Sequence, residues 1–222
     1  MAELDRTSNR LVFKLVYYGP ALSGKTTNLI SLHDRLVPSR RGEIMMFDTR
    51  EDRTLFFDLL PIGWRAPSGL LIKFKVYTVP GQVAHDSTRK AVLSRADGVC
   101  FVADSRSSQS INNAESFRNL EENAMRVGLD LERLPIVIQF NKRDLPDVTS
   151  EEELRQRWSQ APWPLVMASA LEGRGVEETL GRLLESVCLG ADRRYRLREE
   201  HGCSPEGLSA AILGRAGNHA HG

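Results

Sequence analysis

Gly19-Pro20-Ala21-Leu22-Ser23-Gly24-Lys25-Thr26 decides the fold of this chain. The octapeptide fits the phosphate-loop pattern G-x-x-x-x-G-K-[ST]. An apolar run from Leu11 to Tyr18 precedes it and is typical of a buried strand, and leucines at helical spacing follow it. A glycine-rich turn between strand and helix points successive backbone N–H groups into one concavity, where the helix dipole adds positive potential. A merely flexible turn fits this context less well, so we predict a nucleoside-triphosphate site.

The loop residues have distinct expected roles. Lys25 should reach the outer phosphates as a point charge, and the Thr26 hydroxyl should ligate Mg²⁺. The residues expected to hold the phosphates are Gly19, Ala21, Leu22, Ser23, Gly24, Lys25, Thr26 and Thr27.

The composition argues against several functional classes. The length of 222 residues suits one α/β domain, and the 41% hydrophobic and 27% charged content is ordinary for a globular protein. A formal net charge of +1 provides no broad field for nucleic acid. The three cysteines lack C-x-x-C spacing, so neither a disulfide framework nor a zinc site is indicated. No apolar run reaches the roughly 18 residues of a membrane span, and no signal peptide is evident, so we expect a cytoplasmic protein.

Short continuous apolar runs at Gly98 to Ala103 and Ile136 to Phe140 are typical of central parallel strands covered on both faces. Stripes of apolar residues at steps of three or four predict amphipathic helices. They are Ile111, Ala114, Phe117, Leu120, Ala124 and Val127, and later Val176, Leu180, Leu183 and Val187. Alternating strands and helices predict an α/β fold with a doubly wound, mostly parallel sheet and helices on both faces. The ligand should lie at the carboxyl ends of the strands.

A β-hairpin is predicted before the first central strand. Strand-like runs at Leu55 to Leu60 and Leu70 to Val79 flank residues 61–69, which are rich in turn formers. A further short strand is expected at Glu43 to Asp48. Alternation of Lys73 and Lys75 with apolar neighbours indicates a half-exposed strand near a sheet edge.

The chain changes character near Ala191. We expect residues 1–190 to form the nucleotide-binding domain and residues 191–222 a flexible C-terminal extension. Four arginines between positions 193 and 198 precede Glu199-Glu200, and small residues follow. A frayed helix and disordered tail is the favoured interpretation. A docking segment or a contact with anionic membrane is the alternative, for which this charge pattern is a weak signal.

The segment Asn141-Lys142-Arg143-Asp144 follows a predicted central strand and resembles the N-K-x-D element of guanine-nucleotide-binding proteins. A carboxylate at Asp144 can accept hydrogen bonds from guanine N1–H and the exocyclic amino group, whereas adenine offers no such pair of donors. Lys142 would lie along the base plane, and Asn141 would tie the loop to neighbouring backbone. Alone, the tetrapeptide could be a solvated loop. Ser169 and Ala170 resemble the short S-A-x element whose N–H groups meet guanine O6.

The segment Thr78-Val79-Pro80-Gly81-Gln82 resembles the D-x-x-G-Q segment of Ras-like GTPases. The resemblance implies that Gly81 bonds the γ-phosphate and that Gln82 orients the attacking water. Thr78 stands where those proteins have a magnesium-supporting aspartate. Because a hydroxyl cannot supply that charge, the metal is expected to depend more on Thr26, Thr54, phosphate oxygens and water.

Together with Tyr17 to Pro20 and Asp52 to Asp58, these motifs make the chain from Arg10 to Leu189 resemble the MglA-type small GTPases, Ras-superfamily proteins of bacterial cell polarity and gliding motility. The resemblance implies that Thr54 closes on Mg²⁺ and the γ-phosphate, and that Arg53 is an intrinsic arginine finger. A surface arginine is the alternative for Arg53. It also implies a Roadblock-fold, MglB-type activating dimer as partner.

The exposed part of the predicted hairpin is a candidate partner surface. Its members are Lys73, Lys75, Tyr77 and the Phe56-Phe57 pair, which could instead merely pack the hairpin.

Three hypotheses for function remain at this point. The leading one is a switch that binds and slowly hydrolyses GTP and presents or hides a partner surface. Thr78 motivates the second, a guanine-nucleotide-binding scaffold without hydrolysis. The third, a phosphate-loop kinase for a small metabolite, lacks a visible arginine-rich lid and has no use for the guanine element.

Overall fold

A mostly parallel sheet runs through the molecule, which the computed structural model describes over residues 2–47, 57–81 and 86–214. The eight strands lie in the order β3-β4-β5-β2-β6-β7-β8, with β1 paired to β2 beside this path. Pairing is antiparallel for β1 with β2, β3 with β4 and β4 with β5, and parallel elsewhere. The strands are β1 (Glu3–Asp5), β2 (Arg10–Tyr18), β3 (Met45–Phe47), β4 (Phe57–Arg65), β5 (Leu71–Thr78), β6 (Gly98–Asp104), β7 (Ile136–Asn141) and β8 (Leu165–Met167).

Helices cover both faces of the sheet, as predicted. The cluster of buried residues on one face includes Leu32 of the first helix and Leu183 of the fifth, and the other includes Leu93, Leu120 and Leu154. Among the described residues, no helix combines the length and apolarity that crossing a bilayer requires. The helices are α1 (Lys25–Arg35), α2 (Asp86–Leu93), α3 (Ser110–Arg126), α4 (Glu151–Arg157), α5 (Val176–Tyr195), α6 (Leu197–His201) and α7 (Pro205–Ile212), with 3₁₀ turns at Pro38–Arg40 and Ser107–Gln109.

The continuous apolar runs form the two central strands. Every residue of β6 and of β7 is buried, because helices cover both sides of these parallel strands. The apolar stripe of α3 behaves differently along its length. Leu120 and Ala124 are fully buried, whereas Ile111 at the start of the helix is 70% exposed. Ile111 therefore does not pack on the sheet, although Asn113 ties the first turn of α3 to the backbone of Asp104 in β6.

The hairpin is present with a shorter turn than predicted. β4 continues to Arg65, and the turn spans Ala66 to Leu70, where the Ala66 N–H donates to the Leu70 carbonyl. Pro61 is tolerated inside β4. Proline lacks only the backbone N–H donor, and the Pro61 carbonyl still accepts a hydrogen bond from the Gly42 N–H. β5 lies between β4 and β2, so its alternation reflects one uncovered face and not a sheet edge.

The chain beyond Ala191 differs from the predicted flexible extension as far as Gly214. α5 continues to Tyr195, and α7 packs against it, with Leu208 and Ile212 almost fully buried. The two helices approach closely at Gly181, whose carbonyl accepts from Ser209 Oγ at 3.4 Å. Burial of the apolar side chains of α7 against α5 therefore stabilises this part of the chain, although the segment that leads to α7 is polar.

Capping and a long-range contact also order this segment. Ser204 caps α7 by accepting the Gly207 N–H at 3.0 Å, and Pro205 occupies the first turn, where no N–H is required. Tyr195 donates its hydroxyl proton to the Ala2 carbonyl at 2.7 Å. The residues before β2 thus include a short strand and a contact with the end of α5.

Leu208→Ala should lower the free energy of unfolding by about 2–5 kcal/mol, because it leaves a cavity under α7. Leu189→Ala is the matched control, since Leu189 is 57% exposed on α5, and it should cost less than about 1 kcal/mol. Urea unfolding followed by circular dichroism measures both. Equal, small effects of the two substitutions would mean that residues 205–212 contribute nothing to the fold.

Candidate functional site

The phosphate loop joins the carboxyl end of β2 to the first residue of α1, Lys25, in the arrangement predicted from sequence. Gly24 has a φ of 98°, and a Cβ atom there would lie 2.2 Å from Asn141 Nδ2. A side chain at this position would therefore be strained and would separate the loop from the end of β7. Thr27, the last of the predicted phosphate ligands, lies in the first turn of α1.

The Lys25 side chain is hydrogen-bonded within the phosphate loop, where it is expected to contact the phosphates. Its Nζ donates to the carbonyls of Gly19 at 2.9 Å and Pro20 at 2.6 Å, and the residue is only 7% exposed. Burial, with a further contribution from the Arg89 charge, lowers the pKa of Lys25 to about 7. A bound phosphate would favour the ammonium form, because an adjacent anion offsets the cost of desolvation.

The structure supplies a carboxylate that the sequence analysis did not assign. Asp58 of β4 accepts hydrogen bonds at Oδ2 from Thr26 Oγ1 at 2.7 Å and from Thr78 Oγ1 at 2.9 Å. Its N–H donates to Thr78 Oγ1 at 2.9 Å. The expectation that the metal must depend on hydroxyls, phosphate and water is therefore incomplete. The pairing of Leu59 with Tyr77 places Asp58 beside Thr78. An acidic residue in the first strand of the predicted hairpin was the sequence signal that could have indicated this carboxylate.

These groups line a cleft of about 440 Å³ at the carboxyl end of the sheet. The described residues contain no cluster of three histidine, cysteine or acidic side chains that could enclose a metal. One carboxylate with a neighbouring threonine hydroxyl nevertheless suits Mg²⁺, which keeps several waters and takes further oxygens from substrate phosphates. The donor set of Thr26 and Asp58 therefore fits this ion.

Asn141 joins the phosphate loop to the predicted guanine element. It is 2% exposed at the end of β7. Its Nδ2 donates to the Ser23 carbonyl at 2.8 Å, and its Oδ1 accepts from the Ala170 N–H at 2.8 Å. A single side chain thus holds three separate loops, which come from β2, β7 and β8, at fixed distances.

The remaining residues of the guanine element have defined contacts. Asp144 Oδ1 accepts from Ser169 Oγ at 2.6 Å, so the two segments predicted to meet guanine lie together. Lys142 Nζ donates to Asp104 Oδ2 at 2.7 Å. Burial opposes ionisation of Asp104, but hydrogen bonds from Arg106 and Lys142 outweigh it and lower its pKa. Asp104 therefore remains an anion and orients Lys142.

Gly81 packs directly on the phosphate loop. A Cβ atom at Gly81 would lie 2.2 Å from the Cα of Ala21, so only glycine allows this approach. Arg89 of α2 fixes the segment from the other side. Its Nε donates to the Pro80 carbonyl at 2.9 Å, and its Nη2 donates to the Gly81 carbonyl. Sequence analysis gave Arg89 no role, and no local motif distinguishes it.

A buried polar network orients Arg89. Its Nη1 donates to Asn119 Oδ1 at 2.6 Å, and its guanidinium lies over the Tyr18 ring, 5.8 Å from the centroid. Tyr18 also donates to Asn119 Oδ1 at 2.5 Å. Asn119 and Asn123 both lie on α3, and Asn123 Nδ2 donates to Oδ1 of Asp86, the first residue of α2, at 2.7 Å. The segment Pro80-Gly81 is thus linked to β2, α2 and α3.

Three of the predicted functional residues lie outside the described part of the chain. They are Arg53, Thr54 and Gln82, and their roles stay predictions. Of the candidate partner surface, Phe56 also lies outside, whereas Phe57 packs on Tyr77 with ring centroids 5.7 Å apart. Lys75 on the same strand is exposed.

The chain is similar to a known protein family and to two characterised relatives. The sequence profile of the ADP-ribosylation factor family matches residues 69–187. Identity to "Mutual gliding-motility protein MglA" of Myxococcus xanthus (strain DK1622) is 43% over 187 residues, covering 84% of this chain and 96% of that protein. Identity to human "ADP-ribosylation factor-like protein 4D" is 25% over 122 residues, covering 52% of this chain and 59% of that protein.

We predict that nucleotide binding at pH 8 takes up a proton at Lys25. With a pKa of about 7 in the nucleotide-free protein, its amine is mostly neutral at pH 8. Phosphate contact would protonate it, with an uptake of about 0.9 proton per nucleotide. The contribution of Lys25 should vanish as the pH falls well below 7, because the amine is then already charged.

Calorimetric titration of GDP in two buffers of different ionisation enthalpy measures this uptake. Lys14→Met is the control, because Lys14 is a half-buried lysine of β2 whose Nζ donates to the Ser94 carbonyl, away from the loop. That variant should keep the full uptake. Identical apparent enthalpies in both buffers at pH 8 would contradict the assignment.

Proposed function

The chain is a small GTPase of the ADP-ribosylation factor family, and we propose that it acts in the cytoplasm as a GTP-dependent switch in gliding motility and cell polarity. The proposal of motility rests on the name of its relative, the mutual gliding-motility protein MglA. We take residues 1–190 as the GTPase domain, on which the helices up to Gly214 pack.

One observation carries the proposal of a guanine-nucleotide switch: the bridge that Asn141 makes between Ser23 and Ala170. It holds the phosphate cradle and the base-reading loops at a fixed spacing, as a single nucleotide that contacts both would require. The carboxylate of Asp144 beside Ser169 then offers guanine its pair of acceptor contacts. Adenine would leave this carboxylate desolvated and unpaired.

In this proposal the phosphates are held by the backbone N–H groups of Gly19 and of residues 21–24, since Pro20 has none, and by the Lys25 ammonium. Lys25 would leave the carbonyls of Gly19 and Pro20 and contact the outer phosphates. Gly81 lies against Ala21, where its N–H can reach the terminal phosphate once the segment adjusts. GTP and GDP would then differ in how they hold this segment.

Thr26 and Asp58 would hold Mg²⁺, with Thr54 added when GTP is bound. When bound, the ion would neutralise charge on the β- and γ-phosphate oxygens. The charge contributed by Asp58 weakens the case for a scaffold that binds GTP without hydrolysis, because that case rested on the missing aspartate at Thr78.

For hydrolysis we propose that Gln82 orients the water that attacks the γ-phosphorus and that Arg53 stabilises charge on the transferred group. A new P–O bond forms to water, the bond to the β–γ bridging oxygen breaks, and GDP leaves with inorganic phosphate as the co-product. The water proton passes to the phosphate. Arg89 would act as a positioning residue, since it holds Pro80 and Gly81 immediately before Gln82.

We propose a Roadblock-fold dimer of the MglB type as the activating partner. Phe57, Tyr77 and Lys75 lie on the uncovered sheet face next to the nucleotide cleft and are candidate contacts. A partner there would sense the state of the neighbouring switch residues. Its docking would also explain why hydrolysis by the purified protein alone should be slow.

Asp58→Asn should raise the Mg²⁺ concentration needed for half-maximal GTP binding by about tenfold or more, because it keeps the shape but removes the charge. Fluorescence titration with an N-methylanthraniloyl derivative of GTP at varied Mg²⁺ measures this shift. Asp34→Asn, an exposed change on α1, is the matched control and should behave as wild type. An unshifted Mg²⁺ dependence in Asp58→Asn would remove this residue from the metal site.

Gln82→Leu should lower the single-turnover rate of GTP hydrolysis by about tenfold or more, measured with and without a Roadblock-fold partner. GTP binding itself should be retained, which separates catalysis from folding. Hydrolysis by the variant at the wild-type rate in the presence of the partner would contradict the role of Gln82. If wild type hydrolyses no GTP in either condition, the scaffold hypothesis replaces the switch.

A further inference from the structure

A cavity of about 350 Å³ lies between α3 and α4, on the opposite side of Asp104 from the guanine element. Its apolar wall consists of four aromatic rings and small or aliphatic side chains. These are Phe101, Phe117, Phe140, Trp158, Ala103, Ala114 and Leu154. The volume is in the range of small-molecule sites.

The cavity lies beside the first turns of α3, which present the small side chains of Ser110 and Ala114 to it. Ala114 is exposed at the mouth, where a larger apolar residue would fill the space. Further along, Phe117 meets Trp158 edge to face with centroids 5.3 Å apart, and meets Phe101 in the same way at 5.0 Å. These contacts fix the rings, so the walls are preformed.

One polar group in the wall lacks a partner. Ser105 is 1% exposed and lines the cavity, and its Oγ has no hydrogen-bond partner among the described residues. Its backbone groups are both used, the N–H on the Asn141 carbonyl and the carbonyl on the Thr149 N–H, each at 2.9 Å. A buried hydroxyl without a partner is disfavoured, so a ligand that bonds to it would gain affinity.

Arg118 is the one arginine of the cavity lining without an anionic partner among the described residues. Arg106 pairs with Asp104, Arg157 pairs with Glu153, and Glu121 is the other acidic residue of the lining. Asp104 is already engaged by Lys142 and Arg106. Arg118 makes no ion pair or hydrogen bond with the part of the chain that the structure describes, so its charge is available to a ligand.

We propose that the α3–α4 cavity binds a small aromatic acid and that its occupancy changes the affinity for guanine nucleotide. The ring would pack among the aromatic side chains, and the acidic group would face Arg118 at the mouth. A neutral aromatic compound would lack the second contact. This ligand site is independent of whether the protein hydrolyses GTP.

Three contacts connect the cavity wall to the guanine element. Asp104 binds Lys142, the Ser105 N–H binds the Asn141 carbonyl, and the Thr149 carbonyl accepts from Arg143 Nη1 at 2.6 Å. Each of these three wall residues therefore contacts a different residue of the nucleotide-binding segment. A ligand that shifts or stiffens this wall changes nucleotide affinity, and nucleotide must change ligand affinity by the same factor.

Binding is tested with 8-anilinonaphthalene-1-sulfonate on the GDP-bound protein. We expect one saturable site that quenches tryptophan fluorescence. Ala114→Phe should weaken binding by about tenfold or more, since the ring fills the mouth. Met125→Phe adds a ring at a 74% exposed position of α3 and is the control, which should bind as wild type. Equal binding by Ala114→Phe and wild type would overturn the site.

The preference for an anion is tested with Arg118→Gln and the uncharged analogue N-phenyl-1-naphthylamine. The variant should weaken sulfonate binding by about fivefold and leave binding of the uncharged analogue unchanged. This comparison stands even if Ala114→Phe does not fold. Equal losses for both compounds would overturn the anionic part of the proposal.

Coupling is measured as the affinity for tritiated GDP with and without saturating sulfonate. We expect a change of about fivefold or more, which Ala114→Phe should abolish. An unchanged GDP affinity together with normal sulfonate binding would overturn the coupling and leave the site. Failure of GDP binding in both conditions would instead count against the proposed GTPase function.

Discussion

The two hydrogen bonds of the Asn141 side chain are the constraint on which the rest of the site depends. They cross from β7 to the phosphate loop on one side and to the loop after β8 on the other. Because Asn141 is almost fully buried, neither bond competes with water, and losing either would leave a polar group unpaired. The sheet places three strand ends side by side, and this amide converts that proximity into a fixed spacing.

Asp58 shows that a carboxylate on one strand can replace a carboxylate that is missing from the neighbouring strand. β4 and β5 are antiparallel neighbours, so paired residues project from the same face at close range. A carboxylate on β4 can therefore serve a position occupied by Thr78 on β5. The Thr78 hydroxyl still contributes to the site, because it donates a hydrogen bond to the Asp58 carboxylate and helps to hold it in place.

Short sequence patterns predicted the structural features that depend only on neighbouring residues. The phosphate loop, the buried strands β6 and β7 and the helices on both faces follow from glycine placement and apolar periodicity, and all are present. Asp58 and Arg89 depend on strand register and helix packing, which no short motif encodes. Residues 191–214 differ from the prediction because arginines dominate residues 193–198, whereas Ser204-Pro205 and the apolar residues of α7 carry the structural signal. Short helices like α7 form through burial, so composition alone underestimates them.

The three cysteines are all buried but lie in different parts of the fold. Cys100 is in the central strand β6, Cys188 is inside α5, and Cys203 is between α6 and α7. Burial raises the pKa of each thiol, that of Cys203 to about 11. Each thiolate therefore forms only when its surroundings open. Alkylation rates would then report separately on opening of the α7 region, detachment of α5 and unfolding of the sheet, so the native chain carries its own set of probes for stepwise unfolding.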